Sequence, residues 1–257
     1  MGSTFLSACA VLVAGFGVSA LFGQGSVISV VSTNAITGPL LALAESHRRE
    51  TGTDVKVQFD TSPSIARRLA SGDLAPVDVL IAATATVDQA IKDGRAIAGS
   101  RAAVGKVGVG VVIRRGARRP DISSADAVKA SMLNADAIMY SQGTSGVYIE
   151  KLLQDLGIAG QVKAKTVQTA TGDAMLERLA AGRGNEVGFT QVSEIMRAEA
   201  EGRVTLIGPL PAAIQYYTVF DAVVMTGSRA PDAARAFVRA LTSPAARKVL
   251  AANAWEF

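Results

Sequence analysis

Three turns in this chain share one chemistry. Each is a short apolar run that breaks into Ser and Thr where a helical pattern begins: Ile28-Ser-Val-Val-Ser-Thr-Asn34, Val55-Lys-Val-Gln-Phe-Asp-Thr-Ser-Pro-Ser64 and Ala137-Ile-Met-Tyr-Ser-Gln-Gly-Thr-Ser-Gly146. The first N–H groups of a helix have no intrahelical partner, and that end carries partial positive charge. Hydroxyls beside it add neutral donors, and no acidic or metal-ligand cluster accompanies them. Converging on one point, such turns would hold a small oxyanion or carboxylate. The residues expected to bind are Ser32, Thr33, Thr61, Ser62, Ser64, Thr144, Ser145 and Gly146, with Thr171 and Gln191 at two further turns.

One Ser or Thr at a helix start is ordinary capping. The binding reading rests on recurrence with surplus hydroxyls. Ser62 is expected to cap the helix behind Pro63, leaving Thr61 and Ser64 free, while Gly143 and Gly146 let backbone approach a ligand. Thr169-Ala-Thr-Gly172 precedes another helix, and Val187-Gly-Phe-Thr-Gln191 ends a strand with an amide that could reach a cleft.

Catalytic alternatives find little support. His47 is the only histidine and lies beside Arg48, Arg49 and Glu50 on a helix, where exposure is expected. Cys9 is the only cysteine, so thiolate and histidine-rich metal sites are excluded and no metal cation is expected. There is no Gly-x-Ser-x-Gly elbow. Gly105-Lys-Val-Gly-Val-Gly110 sits inside a strand pattern and opens no helix, which removes the dinucleotide reading. No cofactor is expected, and no residue declares itself a base or nucleophile, so binding is favoured over catalysis.

At 257 residues and 49% hydrophobic, the chain can bury one large core or two modest ones. The net charge of +4 is scattered, apart from Arg67-Arg68 and the stretch Arg114, Arg115, Arg118, Arg119, which reads as a solvated connection. Aromatics at 5% leave no stacking platform for nucleic acid. Residues 1–25 carry no charged side chain, and Phe5 to Phe22 is almost wholly apolar or small. With Val18-Ser-Ala20 as a small-residue cleavage pattern, this reads as a cleaved export signal in preference to an anchor. Leu6-Ser-Ala-Cys9 is too close to Met1 for a lipobox. Cleavage would remove Cys9, which suits an oxidising compartment such as the periplasm.

From Val27 onward strand and helix patterns alternate, which specifies an α/β fold with mostly parallel sheets. The pattern predicts strands at Val27–Val31, Val55–Phe59 and Val77–Ala82, and a helix from about Ala35 to Glu50. Two long strands, Val104–Ile113 and Tyr216–Met225, bracket the middle of the chain. If both cross between lobes and form the hinge, residues 26–107 and 214–257 make one lobe and 108–213 the other. Ligands then sit at the carboxyl ends of strands, where the Ser/Thr turns fall.

Several segments carry a resemblance. They are Ser32-Thr-Asn-Ala35, Phe59-Asp-Thr-Ser-Pro-Ser-Ile-Ala-Arg-Arg-Leu-Ala-Ser-Gly72 with Val77-Asp-Val-Leu-Ile-Ala-Ala83, Thr144-Ser-Gly-Val-Tyr148 with Leu152-Leu-Gln-Asp-Leu-Gly157, and Gly188-Phe-Thr-Gln-Val-Ser-Glu194. From about Val27 to its end the chain resembles the type II periplasmic substrate-binding proteins of ABC transporters, most closely the molybdate-binding branch. The resemblance implies two lobes closing over a tetrahedral oxyanion such as molybdate or tungstate, held without a neutralising cation. It further implies a monomer that delivers its anion to an inner-membrane permease. By similarity Ser32 and Ser62, or its neighbour Thr61, would donate from one lobe. The Ser145 N–H and the backbone near Thr171 would donate from the other. Gln191 departs from the pattern, standing where molybdate binders usually place a Tyr. The alternative is therefore a receptor for a small organic carboxylate or phosphonate on the same fold.

Overall fold

The structure is a computed structural model, described over residues 26–257; residues 1–25, with the expected export signal and Cys9, lie outside the described residues. The chain opens with β1 (Val27–Thr33), a 3-10 turn at Asn34–Ile36 and α1 (Thr37–Thr51). It continues through β2 (Asp54–Asp60), α2 (Ser62–Ser71), β3 (Val79–Ala83) and α3 (Thr84–Lys92) to β4 (Ala102–Arg114), the longest strand. Then come α4 (Ala125–Asn134), β5 (Ile138–Ser141), α5 (Thr144–Asp155), α6 (Ala159–Val162), β6 (Thr166–Thr169), α7 (Gly172–Ala180) and β7 (Val187–Gln191). The last elements are α8 (Val192–Ala200), β8 (Val204–Pro209), β9 (Tyr217–Val224), α9 (Pro231–Ala240) and α10 (Pro244–Ala251).

The strands lie in the order β2-β1-β3-β9-β4-β7-β5-β6, with β8 also paired to β4. β4 joins two halves. Its first part, Ala102–Gly108, pairs antiparallel with β9. Its second part pairs antiparallel with β7, Val109 opposite Gln191, and with β8. The expectation of mostly parallel sheets holds at the flanks, where β2, β1 and β3, and separately β6, β5 and β7, run parallel. The centre is antiparallel because β4 and β9 run against the strands beside them. The second expected crossover, Tyr216–Met225, is β9, which pairs with β3 and with the first part of β4 only.

Period-2 alternation puts neighbouring apolar residues on opposite sheet faces, which builds the core in four parts. Val30 packs with Leu40, Phe237 and Leu250 on one face of the first half, and Val31 with Ile65, Leu80 and Val87 on the other. In the second half Val111 packs with Ile138, Ile149 and Phe189, while Val112 packs with Met175, Leu176 and Ile195. β3 is buried at all five positions, which explains its unbroken apolar run. One helix belongs to both halves: Val192 of α8 packs into the first-half core and Ile195 into the second.

His47 departs from the sequence expectation. It is 4% exposed, with its ring 5.2 Å from that of Phe237. Leu40, Ala44 and His47 fall at helical spacing on the face of α1 that α9 and α10 cover, so the histidine is a core residue.

Candidate functional site

Five helix starts meet where the two halves face each other. Thr33 and Asn34 come from the turn after β1, Thr61 and Ser62 from the start of α2, and Gly143, Thr144 and Ser145 from the start of α5. Gly172 comes from the start of α7, and Gln191 and Glu194 from the start of α8. Together with Ser141 they enclose a space of about 20 Å³, room for roughly one water. The walls are thus nearly in contact. No Lys or Arg lines this space among the described residues. Helix N-termini carry N–H groups with no intrahelical partner and partial positive charge, so a space faced by several of them is attractive to an anion without any cation.

Six of the ten expected residues line this space: Thr33, Thr61, Ser62, Thr144, Ser145 and Gln191. The other four do not. Ser32 is fully buried, its hydroxyl directed at the Thr33 carbonyl at 3.4 Å. Ser64 donates to the Asp60 carboxylate at 2.8 Å. Thr171 caps α7, accepting the Ala174 N–H at 3.2 Å. Gly146 is required by packing: a Cβ there would run into the Ser141 carbonyl, so only glycine lets α5 sit this close to the end of β5.

The caps also fall differently from expectation. Thr61, not Ser62, caps α2, accepting the Ser64 N–H at 3.3 Å. Ser62 Oγ instead accepts the Ala83 N–H at 3.0 Å while facing the cavity, so its own proton remains available for a ligand. Ser141 was missed by sequence reading. Its hydroxyl accepts the Gly143 N–H at 3.2 Å and shapes the turn into α5. The signal was its place at a strand end within Tyr140-Ser-Gln-Gly143.

Gln191 bridges strands where the two halves join. The carbonyls of Val107 and Gly108 lie 3.1 and 3.2 Å from one end of its amide. Carbonyls only accept, so that end is the NH₂. The amide oxygen then accepts the Thr218 hydroxyl at 2.8 Å. One side chain at the end of β7 therefore ties the middle of β4 to the start of β9.

Glu194 is the second residue that sequence reading missed. It is the third residue of α8, is 6% exposed, and accepts a hydrogen bond from the Thr190 hydroxyl. With Gln191 as the N-cap, this is the position of the acid in a capping box. A Cβ on Gly172 would lie 2.5 Å from its Oε2, so the carboxyl fills the gap at the start of α7. Burial pushes this carboxyl up to about 7, against the Thr190 hydroxyl, which favours the charged form.

A larger groove, of about 570 Å³, lies elsewhere, beside Arg118, Arg119, Asp121, Ser131 and Asn134. It gathers no helix starts from the two halves, and the convergent donors all lie at the smaller cavity.

The sequence profile of the family described as "Bacterial extracellular solute-binding protein" matches residues 28–256. The chain belongs to this family. Among relatives of the solute-binding protein is an aconitate isomerase from Pseudomonas sp, 28% identical over 233 residues, covering 88% of this chain and 86% of the relative. Another is the molybdate-binding protein ModA of Azotobacter vinelandii, 28% identical over 257 residues and covering 94% of each chain. The solved Azotobacter vinelandii periplasmic molybdate-binding protein superposes with a TM-score of 0.75 at 20% identity, over 90% of this chain and 99% of that one. This likeness shows the type II periplasmic binding protein fold. No helix of the described residues is long and apolar enough to cross a membrane.

Proposed function

We propose that this protein is an exported receptor that captures a small anion between two lobes and hands it to an inner-membrane ABC permease. The observation that carries this reading is the set of helix starts from both halves facing one nearly closed space with hydroxyl donors and no cation. The lobes are drawn at 26–107 with 214–257, and at 108–213. A space this small requires them to part for the ligand to enter, so exchange is set by opening. Molybdate or tungstate is the leading ligand, supported by the relatives that bind molybdate. The alternative is a small carboxylate, supported by the isomerase relative, which acts on aconitate.

A thermal-shift screen of the mature protein against molybdate, tungstate, sulfate, phosphate and small carboxylates tests this. Ligand at about a thousandfold excess over Kd stabilises the native state by about 4 kcal/mol. A shift with molybdate and tungstate alone supports the oxyanion. A shift with a carboxylate alone moves the substrate class, and no shift with any of them defeats the receptor reading.

One observation favours a second reading, in which the site also turns its ligand over. Glu194 is a carboxyl in the cavity wall that titrates near neutrality, as a general acid or base should. Proton NMR of the protein with cis-aconitate would show the trans isomer growing in if the chain is an isomerase. An unchanged spectrum ends that reading.

A further inference from the structure

A buried acid is out of place in a receptor for anions. Glu194 sits in the wall of the same cavity as Ser62, Thr144 and Ser145, so an anion bound there lies beside a carboxyl as well as beside donors. If that carboxyl stayed ionised, the two negative charges would meet in a space almost without water. We propose that Glu194 binds the anion as a neutral carboxylic acid, so that each capture takes up a proton. This rests on the receptor reading above. The ligand it selects is an anion with an oxygen free to accept, since the acid adds one more donor to the hydroxyl and amide set.

The surroundings do not neutralise the carboxylate by other means. Arg197, on the same helix, favours the charged form, yet its guanidinium is committed to Asp173 at 2.5 Å and Glu201 at 3.4 Å. Asp173, at the start of α7, opposes ionisation, and Arg203 is in turn 3.8 Å from Asp173. The 3-10 turn after β1, β7 and β8 also pack on α8 or join it, and none carries a titratable side chain. On β4, Lys106 pairs with Glu256 and Arg114 bonds to the Arg115 carbonyl. The hydrogen bonds that reach the acid come from the Thr190 hydroxyl and, facing it, the Gln191 N–H. The proton is therefore the one counter-charge that can arrive together with the ligand.

Linkage gives the consequence. An arriving anion raises the acid's proton affinity, so binding weakens with rising pH once the free acid begins to ionise. The slope reaches about tenfold in Kd per pH unit for one proton. Below that range the affinity is flat.

Titration calorimetry of the full mature protein with sodium molybdate and sodium tungstate, at about pH 7.5 in two buffers of different ionisation enthalpy, counts the protons. Between half and one proton taken up per anion is expected, and no uptake with measurable binding overturns the proposal. Glu194→Gln keeps a donor and removes the titration. It should bind with the same Kd from about pH 6.5 to 8.5, and more tightly than the parent at the upper end. A variant that keeps the parent's pH slope also overturns the proposal. If the variant does not fold, the proton count on the parent decides alone. No heat with either oxyanion or with the carboxylate panel would defeat the receptor reading, and the proposal with it.

Discussion

The Ser193 hydroxyl donates to the Ala35 carbonyl at 2.7 Å, fastening the first turn of α8 to the turn after β1. Both residues are buried, and they come from opposite halves of the molecule. Ser193→Ala would leave that carbonyl unsatisfied at a cost of about 1–3 kcal/mol, charged to the closed arrangement alone if the contact parts on opening. Anion affinity should then fall about five- to 150-fold, with little change in unliganded stability. Calorimetry and urea unfolding of the variant check this. Equal Kd with lower stability would show that the contact persists in both arrangements.

Gln191 replaces the aromatic residue expected in molybdate binders, and its amide is consumed by Val107, Gly108 and Thr218. Its role in the structure is thus to hold β4 and β9 together where the two halves join. Gln191→Leu should cost about 1–3 kcal/mol of stability through the stranded carbonyls and hydroxyl. A melting temperature within error of the parent's would show that these groups find other partners.

The strand-to-helix turns were legible because apolar periodicity and N-cap chemistry are local. That marked Thr33, Thr61, Ser62, Thr144, Ser145 and Gln191 as candidates one turn at a time; that they share one cavity is a property of the fold. Ser64 and Thr171 misled for the same local reason: a hydroxyl at a helix start looks alike whether it meets a ligand, Asp60 or its own backbone. His47 and Glu194 were illegible because their burial comes from distant segments. The helices covering His47 come near the end of the chain, and α7 closes over Glu194. A charged-looking stretch of sequence carries no trace of either.

Glu194 should also set a pH dependence of stability without ligand. Its folded pKa, about 7, lies above the ordinary 4.5, so the native state binds more protons than the unfolded chain between those values. Stability contributed by this group therefore falls as pH rises from about 4.5 to 7 and is level beyond. The whole effect is about 3 kcal/mol. Glu194→Gln removes it, so the variant should match the parent near the acid end and exceed it near about pH 8. Urea titrations at both ends test this, and a constant difference across the range would sink it.

Asp78 should show the opposite sign. Its Oδ2 accepts from the Ser29 N–H at 2.8 Å and the Ser29 hydroxyl at 2.9 Å. Its Oδ1 accepts from the Ser228 hydroxyl at 2.7 Å and the N–H groups of Arg229 and Ala230 at 2.9 and 3.3 Å. Burial alone would raise this carboxyl, but the hydrogen bonds from Ser29, Ser228 and Arg229 outweigh it and hold it below 3.8. The stabilisation is therefore complete above the unfolded value and is lost as pH falls through the lower folded one. Asp78→Asn puts an NH₂ against N–H and O–H donors, and should cost about 3 kcal/mol at neutral pH. That loss should shrink as pH falls through the carboxyl's lowered folded value, where the parent's own Asp78 takes up its proton. Urea unfolding of both proteins at neutral and at acid pH measures it. A loss that stays the same in acid would mean that shape, not the carboxylate charge, holds the β1, β3 and α9 ends together.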